Sequence, residues 1–168
     1  MEIKDENLTS VDFSSVLWMK RFSFASILIC SNMLENMFNS SQNSEDSLTS
    51  KQWLLMAIIS SFKEMPTLSM TGEKMGCSRQ NIKQIAQILR KKGYVDFCKS
   101  EGDRNTIRLC PTDKWWIYCR ESDDETSAIL DNIFAGFSDA QVAEFFKSFA
   151  KIKDNIEKVN SNIIEKKS

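Results

Sequence analysis

The chain has 168 residues, 42 % apolar and 27 % charged, which is enough to bury a core without staples and ordinary for a globular protein. It contains no histidine, so the commonest general base, metal ligand and partner of serine or cysteine nucleophiles is missing; hydrolase triads are excluded, and no cofactor or metal is expected. The net charge of −1 conceals two opposed blocks: nine bases against three acids from Lys74 to Arg108, locally +6, and one base against seven acids from Arg120 to Glu144, locally −6, so a polyanion stays an eligible partner.

In chain order, "MEIKDENLTSVDF" is acidic and lacks a basic segment followed by an apolar one, so no secretory signal is read there. Residues 12–38 form a helical pattern that is apolar nearly all round, with Phe13, Val16, Leu17, Phe24 and Leu28 on one side and Trp18, Phe22, Ile29 and Met33 on others. Such a helix has to be covered on several faces. Its most apolar stretch, Phe22 to Cys30, is too short to span a bilayer, and a cytoplasmic protein is expected. "NSSQNSEDS" is a polar loop. Thr49 and Gln52 then have capping-box spacing ahead of Trp53, Leu54, Leu55, Ile58, Ile59 and Phe62, a second, well-buried helix that ends before Pro66.

"LSMTGEKMGCSRQ" contains a short helix, a tight turn at Gly76 and a fresh helix start with Ser78 as N-cap. From Arg79 to Lys92, Ile82, Ile85, Ala86 and Leu89 fall at the spacing of one buried helical stripe. Three bases followed by Gly93 suit a helix C-terminus, where cations meet the negative end of the dipole and glycine accepts a left-handed cap. "YVDFCKS", the polar turn "EGDRN" and "TIRLC" make a two-stranded hairpin, so helix, turn, helix and hairpin form a winged helix.

After Pro111, Thr112 opens a helix carrying Trp115, Trp116 and Cys119, followed by an acidic run and a helical stretch that closes near Gly136. Ser138 and Gln141 form another capping box. In the last helix Val142, Phe149, Ile156 and Ile163 fall seven apart, with Phe145, Ile152 and Val159 interleaved, which is a heptad seam. The seam is expected to pack on the long first helix and on a second copy of the chain. The five cysteines, Cys30, Cys77, Cys98, Cys110 and Cys119, lack Cys-x-x-Cys spacing and are read as reduced, intracellular thiols rather than a zinc site. Cys30 is expected deep within its apolar helix, and Cys98, Cys110 and Cys119 have no identifiable partner.

These elements resemble the MarR (multiple antibiotic resistance regulator) family of transcription factors. The likeness runs from Leu68 to Val95, through "LS", "MGCSR" and "LRKKGYV", and resumes at "GDRNTIRLCPT" with the wing aspartate at Asp103 and a helix-opening threonine at Thr112. "LTSKQW" is similar to the family's second-helix opening. The resemblance implies a mainly α fold with a small β-hairpin wing. Residues 1–168 would form one domain, with dimerisation helices at 12–38 and 112–165 and a DNA-binding lobe at 48–111. It also implies a homodimer, a double-stranded DNA partner with a pseudo-palindromic operator, repression, and a small aromatic effector bound near Trp18, Phe22, Met56, Trp115 and Trp116. Where the family commonly carries Asp-x-Arg in the wing, this chain has Asp103, Arg104, Asn105, which transfers the minor-groove role to Arg104 or weakens it.

The face of the recognition helix opposite its apolar stripe carries Arg79, Gln80, Asn81, Lys83, Gln84 and Gln87. Arginine bridges guanine O6 and N7 and glutamine or asparagine bridges adenine N6 and N7, so Arg79, Gln80, Lys83 and Gln84, nearest the helix start, are the expected base-facing residues. Arg104 at the wing tip is expected in the minor groove, with Lys99 and Arg108 on phosphates beside it and Lys74 and Ser78 on phosphates near the helix start. Two other classes compete with this reading. A winged-helix protein-interaction module would use the acidic helix and the seam as its working surfaces, and a thiol enzyme would need Cys30 to be reactive.

Overall fold

The computed structural model describes residues 13–40, 47–100 and 103–165, in two compact units, one ending at Trp116 and the other starting at Ile117. The acidic N-terminal segment, most of the "NSSQNSEDS" loop, the Glu101–Gly102 turn and the side chain of Arg104 lie outside the described residues.

The first unit contains α1 (Val16–Ser40), α2 (Ser50–Ser60), α3 (Leu68–Met75), α4 (Arg79–Lys91), the antiparallel hairpin of β1 (Val95–Ser100) and β2 (Asp103–Pro111), and the start of α5 (Asp113–Glu121). Each helix boundary has a local cause. Thr49 and Gln52 close a reciprocal box at the start of α2, each backbone N–H donating to the other's side-chain oxygen at 3.3 Å. Thr67 caps α3, and Gly76 ends it in the left-handed region at φ 69°. Gly93, at φ 80°, does the same after α4.

The core lies where α2, α3, α4 and the hairpin meet. Leu55, Met56 and Ile59 of α2, Leu68 of α3, the Ile82, Ile85, Ala86 and Leu89 stripe of α4, and Val95 and Leu109 of the hairpin are all buried. Removing one leucine-sized side chain of this kind from water contributes about 1.5–3 kcal/mol. Trp115 joins the same core and donates its indole N–H to Ser60 Oγ at 2.8 Å. Not every side chain expected in the buried face of α2 is there: Leu54 is exposed.

α1 is fastened to α2 by Phe38, whose ring lies 5.4 Å from that of Trp53, and by an exposed Glu35–Lys51 pair. It has no buried residue, and Val16, Leu17, Phe22, Phe24, Leu28, Ile29 and Met33 are all exposed in the protomer. In the second unit, α6 (Asp123–Ile133) leads through Gly136 to α7 (Asp139–Glu165), which Ser138 and Gln141 open with the expected box. Phe134 meets Phe137 and Phe145 edge-on, which closes the turn between the two helices. Along α7 the heptad positions Phe145, Phe149, Ile152, Ile156, Val159 and Ile163 stay exposed.

Candidate nucleic-acid interface

The start of α4 is set by geometry that the local sequence dictates. Gly76 reverses the chain, and Ser78, in an extended conformation, accepts the Asn81 N–H on its Oγ at 3.2 Å. A Cβ built on Gly72 would lie 2.7 Å from the Cys77 carbonyl oxygen, so only glycine lets α3 approach the turn this closely. With the Ile82, Ile85, Ala86 and Leu89 stripe turned inward, the opposite face of α4 presents Arg79, Gln80, Asn81, Lys83, Gln84 and Gln87, all exposed. Among the described residues, the side chains of Arg79, Gln80, Asn81, Lys83 and Gln84 have no hydrogen-bond or ion-pair partner. A helix that spends its apolar half on the core and leaves such donors and acceptors uncommitted is a surface able to bond base edges.

Two depressions flank this face. One, of about 220 Å³, is lined by Thr67, Leu68 and Ser69 at the start of α3, Arg79 of α4, and Thr106 and Ile107 of the wing. The other, of about 530 Å³, is lined by Gln84, Gln87, Ile88, Arg90 and Lys91 of α4 and by Phe97 of β1. Thr67, Ser69 and Thr106 were not among the expected contacts. Their signal in the sequence is the "TLS" that opens α3, with Thr67 as its N-cap.

The remaining cations divide by what they already touch. Lys83, Lys91 and Lys99 are exposed and have no partner among the described residues. Lys74 instead donates to Ser61 Oγ at 2.8 Å with its ammonium 4.5 Å from the Phe62 ring centre, and Arg108 donates to the Met65 carbonyl, so both serve the lobe's own structure. Arg90 pairs with Asp96 at 3.2 Å and lies over Phe97, and Lys92 donates to the Ser47 carbonyl.

The residues expected around an effector separate into two groups. Met56 and Trp115 are buried and meet at Ser60, which donates to the Met56 carbonyl and accepts from the Trp115 indole. Trp18 and Phe22 stack on each other at 5.0 Å on α1, and Trp116 is exposed; none of the five lines either depression.

Two expectations about the cysteines need correction. Cys98 and Cys110 are joined as a disulfide, because the hairpin register pairs Cys98 with Arg108 and Asp96 with Cys110 and so sets the two cysteines diagonally across one face. Cys30 is exposed rather than deep, since α1 has no buried face in the protomer. Cys119 is half-buried, and that burial pushes its thiol pKa up against the lowering effect of Arg120.

No family model and no curated protein matches the sequence. Solved structures do match in shape. A MarR/EmrR family transcriptional regulator from Acinetobacter sp. ADP1 superposes with a TM-score of 0.71 at 14 % identity, over 83 % of this chain and 98 % of that one. FabT of Streptococcus pneumoniae, solved in complex with DNA, gives 0.64 at 20 % identity over 84 % and 99 %. The organohalide-sensing regulator RdhR, in its 2,4-dichlorophenol-bound form, gives 0.69 at 9 % identity over 95 % and 92 %. Seven described helices, the single antiparallel wing and the turn into α4 thus assemble the winged-helix fold of the MarR-family transcriptional regulators.

Proposed function

We propose that the protein is a cytoplasmic, homodimeric, sequence-specific DNA-binding transcriptional regulator that represses by excluding polymerase and is released by a small aromatic effector. Residues 1–168 act as one functional domain, in which 48–111 read DNA and 12–38 and 112–165 pair the protomers. The observation that carries this is the uncommitted polar face of α4, beside a wing whose Lys99 is also free of partners among the described residues. Arg79, Gln80, Asn81, Lys83 and Gln84 face bases; Ser78, Lys99 and Arg104 hold the backbone and minor groove; and half-sites lie about one helical turn apart. The apolar residues left exposed along α1 and α7 support pairing with a second copy. DNA in the FabT structure and dichlorophenol in the RdhR structure support the two ligand classes, with Trp18, Phe22 and Trp116 available to an aromatic guest.

Anisotropy titration on DNA upstream of the protein's own coding sequence tests the reading. Arg79→Ala is expected to relax base preference at one position by about 1–3 kcal/mol, whereas Lys99→Ala lowers affinity evenly and reduces the salt slope by about one. Unchanged binding in both variants would reject the site. Absence of salt-sensitive binding, together with a stable complex with another protein, would favour an interaction module instead.

A further inference from the structure

A helix leaves its last carbonyls without partners, and at the C-terminal end of α4 these are satisfied from two sources. The local sequence supplies the first. Lys92 N–H donates to the Ile88 carbonyl, Gly93 N–H to the Arg90 carbonyl and Tyr94 N–H to the Leu89 carbonyl, with Gly93 in the left-handed region. The next carbonyls, those of Lys92, Gly93 and Tyr94, are taken by the chain that enters α5. Thr112 Oγ1 donates to the Gly93 carbonyl at 2.6 Å and Thr112 N–H to the Tyr94 carbonyl at 3.1 Å. Lys114 Nζ donates to the Lys92 carbonyl at 2.9 Å and lies 4.7 Å from the centre of the Tyr94 ring. These side-chain donors stand 19 and 22 positions beyond their acceptors, after the whole hairpin. Beside them Trp115 is buried and bonded to Ser60 at the end of α2, so the clamp is itself fixed to the core. The hairpin between is stitched down separately, by Leu109 N–H on the Pro66 carbonyl and by the bridge between Arg108 and Thr67.

We propose that Thr112 and Lys114 are positioning residues for base recognition: from the start of α5 they hold the C-terminal end of α4 and so fix the line along which its N-terminal residues meet a duplex. This rests on the DNA-binding reading above. The buried stripe presses α4 against the core, but apolar packing is non-directional, whereas the bonds from Thr112 and Lys114 have a direction. With 13 residues, α4 is about 20 Å long. A tilt of about 3° about one end moves the other by about 1 Å, more than the range over which a hydrogen bond keeps its geometry. Arg79, Gln80, Lys83 and Gln84 lie toward the end of α4 opposite the clamp, so a loosened C-terminus reaches them as lost base contacts. Lys114 is exposed, and the bond that it makes replaces one to water, so its net contribution to folding is small. Its contribution is to orientation, with its ammonium at the negative end of the α4 dipole.

The test uses the full chain and two duplexes of equal length, the DNA upstream of the coding sequence and a scrambled version of it, each titrated over a range of salt. The parent is expected to prefer the upstream duplex. Thr112→Val keeps the outline of the side chain and removes the donor. It is expected to weaken binding to the upstream duplex about fivefold or more, while binding to the scrambled duplex changes by less than about twofold at an unchanged salt slope. Thr112→Ser, which restores the hydroxyl, is expected to restore the preference. Lys114→Met, at an exposed position, is expected to lose preference in the same sense, and it carries the test if the valine variant does not fold. Parental preference in the folded variants overturns the positioning role. An equal loss on both duplexes overturns it too: with a lower unfolding midpoint the residues are merely structural, and with a salt slope smaller by about one Lys114 is a phosphate contact. A parent that binds both duplexes alike, or neither, sinks the DNA-binding reading, and the positioning role falls with it.

Discussion

α4 and α1 are both helices with abundant apolar residues, yet the protomer treats them in opposite ways. α4 buries its entire Ile82, Ile85, Ala86 and Leu89 stripe and leaves only polar groups and Ile88 outside. α1, twenty-five residues long, buries nothing fully and exposes phenylalanine, leucine, isoleucine and methionine on several sides. A helix completed by its own chain shows its working surface by what remains polar; a helix left incomplete shows where another surface has to come.

That contrast is open to direct tests. The largest effect is expected from Leu89→Ala, which empties a fully buried position of α4 and should cost about 2–5 kcal/mol in urea unfolding. A loss below that range would show that the stripe is not the anchor it is taken to be. Gly72→Ala forces a methyl against the Cys77 carbonyl and is expected to cost about 1–3 kcal/mol, with the α3–α4 turn as the first region to gain amide exchange. Leu28→Glu on α1 tests the other half of the comparison. It should leave protomer unfolding within about 0.5 kcal/mol of the parent, as surface changes do, while raising the dimer dissociation constant at least about tenfold in sedimentation. If the variant unfolds the protomer instead, the two helices do not differ as argued. The smallest effect is expected from Ser78→Ala, which removes the bond to the Asn81 N–H and should cost about 1 kcal/mol, read from the same urea midpoints.

Much of the lobe was legible because its causes are local. The Thr49–Gln52 box, the left-handed turn at Gly76, the Ser78 cap and the α4 stripe depend on residues within one or two turns of each other, and each is present. The features that were not legible depend on contacts between elements distant in sequence. That Arg108 is committed to Met65, forty-three positions away, follows only from how β2 lies beside the chain entering α3. The Cys98–Cys110 bond follows from strand register, which no spacing motif encodes. Lys74 looked available for phosphate because its neighbour at Ser61 belongs to the end of α2. The exposure of Cys30 follows from α1 burying no residue in the protomer, although its composition is that of a buried helix.

The stitch between Leu109 and the Pro66 carbonyl has one more consequence. It makes a third, one-rung strand of the segment ahead of α3, so the root of the hairpin is tied through the backbone to the entry of that helix. Tilting the wing's root away from the entry of α3 would therefore break this rung.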